Sequence, residues 1–289
     1  MKPNSRNGRD KAVRLSDDDF TFICDFVYQS TGIVLNNNKR EMVYRRLTRI
    51  VRERKLNSFS DYCQLLKQQG AQEKDYFINA ITTNLTSFFR EQHHFDYLVD
   101  EELPRLMAEK TVQANGKKRL RIWSSASSTG EEPYSIAISV LEAMQEQLSS
   151  WDVKILATDI DSNVLAAGKA GIYEHRRIES LSEKFKQRYF HRGVGKNSSN
   201  VRVDKKLSTL ITFKQLNLLH EWPMKGEFDV IFCRNVIIYF DKSTQQELFT
   251  RYYDLLKPGG LLMLGHSENL GEFQQYFNTI GRTMFRKGK

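Results

Sequence analysis

The chain has 289 residues, 40% of them hydrophobic, and a formal net charge of +9. No run reaches the ~18 apolar positions that cross a membrane, and the N-terminus lacks the apolar core of a secretory signal, so a soluble protein of about two domains is expected. Cys24, Cys63 and Cys233 are an odd set without CxxC spacing, which points to a reducing cytosol with neither disulfide nor metal site, while the basic balance favours an acidic partner.

Residues 1–14 are polar and basic and read as a disordered tail. Ser16, followed by Asp17, Asp18 and Asp19, caps a helix that carries Phe20, Ile23 and Val27 on one face and stops at Gly32. The next helix, from about Lys39 to Lys55, places Val43, Leu47, Ile50 and Val51 on one side. Arg45, Arg49 and Arg52 fall at i, i+4 and i+7 along another side, with Arg46 beside them. Alone, such a stripe is usually a solvated face. Amphipathic segments over 59–67 and 74–85 complete an all-helical N-terminal domain at residues 15–90.

The boundary reads NLTSFFREQHHFDYL. Asn84, Thr86 and Ser87 are turn and cap formers, the adjacent Phe88 and Phe89 cannot share one helical face, and Arg90 follows at once. His93 and His94 lack the i, i+4 spacing of paired ligands and are expected to be solvated. Leu98, Leu103, Leu106 and Met107 then mark a linker helix within residues 91–118.

From Arg119 the pattern becomes α/β. RLRIWSSASSTGEEPYSIA is a strand, a turn of small residues ending at Gly130, and a helix with Glu131, Glu132 and Pro133 in its first turn. A strand, tight turn and helix form the first crossover of a doubly wound sheet, where a nucleotide-type ligand can approach the backbone. The second strand, Val153 to Ala157, leads to Asp159, an acid placed to accept both hydroxyls of a ribose, while Asp161 suits a helix N-cap. Residues 172–210 break the rhythm and read as a small β-subdomain, whose edge strands could receive an extended peptide. Parallel strands resume at Ile211 to Leu216, ending at Asn217, and at Phe228 to Cys233. The latter runs into Arg234, Asn235 and, four residues on, Tyr239. A helix, a KPGG turn, a strand at Leu261 to Leu264 followed by GHSE, and a last strand at Thr283 to Arg286 complete the sheet domain, residues 119–289.

Five blocks in this order, NLTSFFRE, SASSTGEEPYSIA, ATDIDSNVL with GIY, FDVIFCRNVIIYFD and LKPGGLLMLGHSEN, resemble the chemotaxis receptor methyltransferases, the CheR family. The resemblance spans residues 15–289 and implies a Rossmann-like domain for S-adenosylmethionine (SAM) with a small β-subdomain insertion, preceded by the helical domain. It implies methyl transfer from SAM to glutamate side chains on the cytoplasmic helices of chemoreceptors, leaving S-adenosylhomocysteine. Matched by motif, Asn84, Thr86, Arg90, Glu132, Asp159, Leu216, Asn217, Arg234 and Asn235 would bind the cofactor, with Glu131 a close alternative to Glu132. Arg90 and Tyr239 would stand beside the reacting methyl. On this basis the stripe of Arg45, Arg46, Arg49 and Arg52 becomes a docking face for acidic receptor helices, and the β-subdomain a second contact for a receptor tail peptide. A cytoplasmic monomer without membrane insertion is expected. A nucleic-acid methyltransferase would also be basic, but amino-directed base methyltransferases show N-P-P-Y or D-P-P-Y where this chain has RNVIIYF, so no nucleic-acid partner is expected. A SAM-binding module without catalysis would carry the same binding residues.

Overall fold

The computed structural model describes residues 13–68 and 70–288; the expected tail lies, for positions 1–12, outside the described residues. The chain divides into two compact units, residues 1–81 and 82–289. The first holds four α-helices among the described residues: α1 (Asp17–Thr31), α2 (Arg40–Glu53), α3 (Phe59–Gln68) and α4 (Ala71–Ile81). A capping box fixes the start of α1, where Ser16 Oγ accepts from the Asp19 amide and the Asp19 side chain reaches back to Ser16, and left-handed Gly32 ends it. Ile23, Val27, Val43, Leu47, Val51, Phe59 and Phe77 are buried, as the helical periodicity requires.

The second unit is a seven-stranded sheet in the order β6-β2-β1-β7-β8-β10-β9. Its strands are β1 (Lys118–Ser124), β2 (Trp151–Asp159), β6 (Ile211–Gln215), β7 (Phe228–Cys233), β8 (Leu256–Leu264), β9 (Phe277–Gly281) and β10 (Met284–Lys287). The first five of these pair in parallel, and β10 is antiparallel to both of its neighbours. From β1 the chain winds outward to β2 and β6, then returns to β7 on the other side of β1. This reversal is the topological switch point, and the ligand crevice of such a sheet opens outside the carboxyl ends of the two strands that flank it. Every residue of β7 is buried, as expected of a strand covered on both faces. Helices α7 (Glu131–Met144), α8 (Ser162–Ala170) and α11 (Lys242–Leu255) are the crossovers. Between α8 and β6, a separate antiparallel sheet of β3 (Ile172–Glu174), β4 (Phe190–Arg192) and β5 (Asn200–Val203) forms the insertion, in the order β3-β5-β4.

Several local expectations are corrected. The first compact unit ends at Ile81 and not at residue 90, because Phe88 buries against Tyr173 and Phe190 of the second unit. The helix expected to link two domains, here α5 (His93–Tyr97), a π-helical turn (Leu98–Glu102) and α6 (Leu103–Glu109), is part of the second unit's core through Phe95, Leu98, Leu103 and Leu106. His94, expected in solvent, is wholly buried beside Thr283, whose Oγ1 lies 3.0 Å from its Nε2. KPGG is not a turn before the strand but a bulge within it: Leu256 pairs with Phe228, register then shifts, and left-handed Gly259 absorbs the extra residues before Leu261 meets Val230. The end of the expected β-subdomain is not all strand, since Leu207 lies in a single helical turn (Lys205–Ser208).

Candidate active site

The crevice is assembled from chain segments that meet at the switch point. The first is the turn after β1. Ser125 donates from its backbone to the Phe232 carbonyl, Ser127 donates to the Thr158 carbonyl, and Ser128 and Gly130 take left-handed conformations. Gly130 is obligatory here: a Cβ would stand 2.9 Å from the Gly168 Cα and 2.9 Å from the Tyr173 hydroxyl, at φ +98°.

Two groups of side chains line this turn. At one end, Asp159 accepts from the backbone N–H of Ser128 (2.8 Å) and of Asp161 (3.0 Å). Burial pushes its carboxyl up to about 6, and the two backbone donors oppose that shift. Asn84 donates to Asp161 Oδ2 at 2.8 Å, and its carbonyl accepts from Ser128 Oγ. Leu216 donates its N–H to the Asp159 carbonyl at 2.9 Å, with Asn217 following it and accepting from the Leu219 amide. Asp161 caps α8 as expected, accepting from Asn163 and Val164.

At the other end stands Arg234, 4% exposed. Its guanidinium pairs with Glu132 (2.9 Å) and Glu91 (3.1 Å), and also donates to the Arg90 carbonyl. Glu132 further accepts from Ser124 Oγ at 2.7 Å; burial raises its pKa against the pull of Arg234. Burial likewise acts to raise Glu91, but Arg234 and its hydrogen bonds outweigh it and hold Glu91 below the usual carboxylate value. Glu131, the alternative to Glu132, is fully buried on a different set of partners, Arg177 and the Thr129 hydroxyl. Thr86 contributes its carbonyl to Arg177 at 2.9 Å. Arg90 donates to the Leu85 carbonyl at 2.9 Å and pairs with no acid among the described residues. Tyr239 is half-buried in the turn after β7.

Phe89, Glu91, Ser128 and Asn235, all in this crevice, have φ between 46° and 58° although none is glycine. Such residues cost about 1–3 kcal/mol each and persist where the surroundings over-determine them. Two residues that bind the site together carry no expectation from sequence, Glu91 and Glu268. Glu91 sits next to Arg90, and Glu268 lies just beyond the carboxyl end of β8 in the GHSE motif, the place on a doubly wound sheet where polar groups serve the crevice.

A doubly wound sheet with a small-residue turn at its switch point, an acid at the end of the second strand and a buried polar cluster at the end of β7 defines a SAM-dependent methyltransferase. The family model described as the CheR methyltransferase SAM-binding domain matches residues 84–286, and that of the CheR methyltransferase all-alpha domain matches residues 18–82. The chemotaxis protein methyltransferases of Salmonella typhimurium and Escherichia coli are each 44% identical to this chain over 279 residues, covering 96% of it and 92% and 93% of their own lengths. Chemotaxis protein methyltransferase 2 of Pseudomonas aeruginosa is 45% identical over 93% of this chain and 92% of its own. The chain belongs to the CheR family of chemotaxis methyltransferases, and its cofactor is SAM.

The crevice fits that cofactor on its own evidence. Ser127 Oγ and Arg234 Nε are buried there without partners among the described residues, two polar atoms whose desolvation is otherwise unrelieved. Both Asp159 oxygens accept from backbone amides, and a carboxylate's further lone-pair sites can accept a hydroxyl.

Proposed function

We propose that this chain transfers the methyl of SAM to glutamate side chains of chemoreceptor cytoplasmic helices, forming methyl esters that tune chemotactic adaptation. In this reading Asp159, Asn84, Leu216 and Asn217 hold the nucleoside, while Thr86, Glu132, Arg234 and Asn235 hold the remainder of the cofactor and Arg90 and Tyr239 face the reacting methyl. The cofactor supplies an electrophilic methyl on a positively charged sulfur. The nucleophile, a carboxylate with a reference pKa near ~4.3, is already ionised at neutral pH and needs no general base. What the protein must supply is alignment and restricted water.

One observation carries the reading, the unequal disposal of two guanidinium groups. Arg234 is bound by the buried Glu132 and the half-buried Glu91, so its charge is answered within the protein. Among the described residues Arg90 meets a carbonyl and no acid, and keeps donors for an incoming carboxylate, which it can orient without a deep buried ion pair. For docking, Arg45, Arg49 and Arg52 are exposed on α2, whereas Arg46 is half-buried and donates to the Ile81 carbonyl, so Arg46 leaves the docking set. Arg49 also pairs with Glu53 at 2.7 Å, an exposed pair that a more acidic partner can displace. The short edge strands of the insertion remain the proposed contact for a receptor tail peptide, and the enzyme is proposed to act as a cytoplasmic monomer.

Incubation with methyl-labelled SAM and chemoreceptor cytoplasmic fragments tests the proposal. Base-labile label on the receptor is the expected result. Label on nucleic acid, or cofactor that binds without transfer, contradicts it.

A further inference from the structure

Glu268 is 5% exposed and accepts backbone hydrogen bonds from five residues. Oε1 takes the amides of Val236 (2.8 Å), Ile237 (2.8 Å) and Ile238 (3.4 Å). Oε2 takes those of Asn235 (2.8 Å) and Gly265 (2.6 Å). Successive amides that converge in this way form a concavity that normally binds an anion. Here the anion is a side chain of the same protein. The clamped residues are those that carry Asn235 and lead into Tyr239.

Three further features tie this clamp to the crevice. Asn235 is left-handed at φ 56°, which turns its amide and that of Val236 toward the carboxylate. Its side-chain nitrogen reaches Glu91 Oε1 at 3.3 Å, and Glu91 is a partner of Arg234. Gly265 leaves no space between the two segments: a Cβ there would stand 2.6 Å from Asn235 Nδ2 and 2.7 Å from both the Asn235 amide and Glu268 Oε2. Glu268 has no role in binding a charge that arrives from outside, because its oxygens are already taken.

We propose that Glu268 is a positioning residue for methyl transfer, fixing residues 235–238 so that Asn235 and Tyr239 stand at the crevice in register with the cofactor. The proposal rests on the methyl-transfer reading for its kinetic consequence alone; the clamp itself can be tested without activity. In a Glu268→Gln variant an amide NH2 replaces one acceptor oxygen and faces N–H groups that then lack a partner. The segment loosens while the sheet holds. Amide hydrogen exchange at residues 235–238 is expected to accelerate at least about tenfold under conditions where β1 and β7 stay protected. In the same variant kcat toward a receptor fragment is expected to fall about a hundredfold with the receptor KM within about threefold, since a displacement near 1 Å suffices for such a loss. Gly265→Ala, which keeps the carboxylate but pushes on Asn235, should give the same pair of changes, and it decides the matter if the glutamine variant does not fold. Unchanged exchange at 235–238, or kcat per folded molecule within threefold of the parent, overturns the proposal. If the parent methylates no receptor, the exchange result still stands and the failure belongs to the functional reading alone.

Discussion

The crevice and helix α2 both present rows of charged groups, yet they dispose of them in opposite ways. In the crevice Arg234, Glu132 and Glu268 are buried and Glu91 half-buried, and the acids are held by the guanidinium or by backbone amides. On α2, Arg45, Arg49 and Arg52 are exposed, and the ion pair of Arg49 with Glu53 is an i, i+4 pair in solvent. The difference separates charges that hold the fold from charges left in solvent, where the proposed docking would use them. A desolvated charge without its counter-charge costs several kcal/mol, whereas an exposed one costs almost nothing to change.

The comparison breaks most visibly at Arg234. Replacing it with Met leaves the buried Glu132 and the half-buried Glu91 without their counter-charge, and unfolding by denaturant should show a loss of about 3–5 kcal/mol. A loss below 1 kcal/mol would mean that the network is solvated and the contrast with α2 is false. Acid should act next. Burial depresses His94 to about 3 in the folded state, so it stays neutral while the unfolded chain takes up a proton below its ordinary value of 6.5. Its contribution is present above about pH 6.5 and is lost as pH falls toward 3, by up to about 1.4 kcal/mol per unit. The His94→Asn variant should show a flatter decline.

Asp159 has the opposite sign. Its carboxyl is raised from 3.8 to about 6 in the folded protein, so burial of the ionised form costs stability above pH 6 and protonation between 6 and 3.8 relieves that cost. Cofactor affinity should move the other way, falling up to about tenfold per unit below pH 6 as the acceptor for the ribose is lost. Calorimetry with S-adenosylhomocysteine across pH checks this, and Asp159→Asn should remove the dependence. Tyr239→Phe sharpens the comparison within the crevice: kcat should drop about tenfold, the value of one hydrogen bond, with stability unchanged. The smallest effect on the fold belongs to α2. Charge reversal at Arg49 and Arg52 should alter stability by less than about 0.5 kcal/mol and leave cofactor affinity intact, while the receptor KM rises. Equal loss of cofactor and receptor binding would contradict a docking role.

The sheet domain was legible because its signals are local. The all-apolar FDVIFC could only be a strand covered on both faces, and the small residues before Gly130 could only be a tight turn. Asp159 and Asp161 were separable because one ends a strand and the other precedes a helix. Pairing between distant segments was not legible. Nothing in RNVIIY announces that its amides end on a glutamate some thirty residues later, and nothing in EQHHF tells which histidine is buried. Glu131 and Glu132 are adjacent and alike in sequence; only the helix's placement sends one to Arg177 and the other to Arg234. The KPGG motif misled because its turn residues are spent on a bulge inside a strand.

The most direct test of methyl transfer to glutamate is to map the modified side chains by mass spectrometry after reaction with SAM and a chemoreceptor cytoplasmic fragment. Methyl esters on glutamate, released as methanol at high pH and absent with the Arg90→Ala variant, are the expected result. Methylation of nitrogen atoms that survives base, or an unmodified receptor beside protein that binds SAM normally, would contradict it.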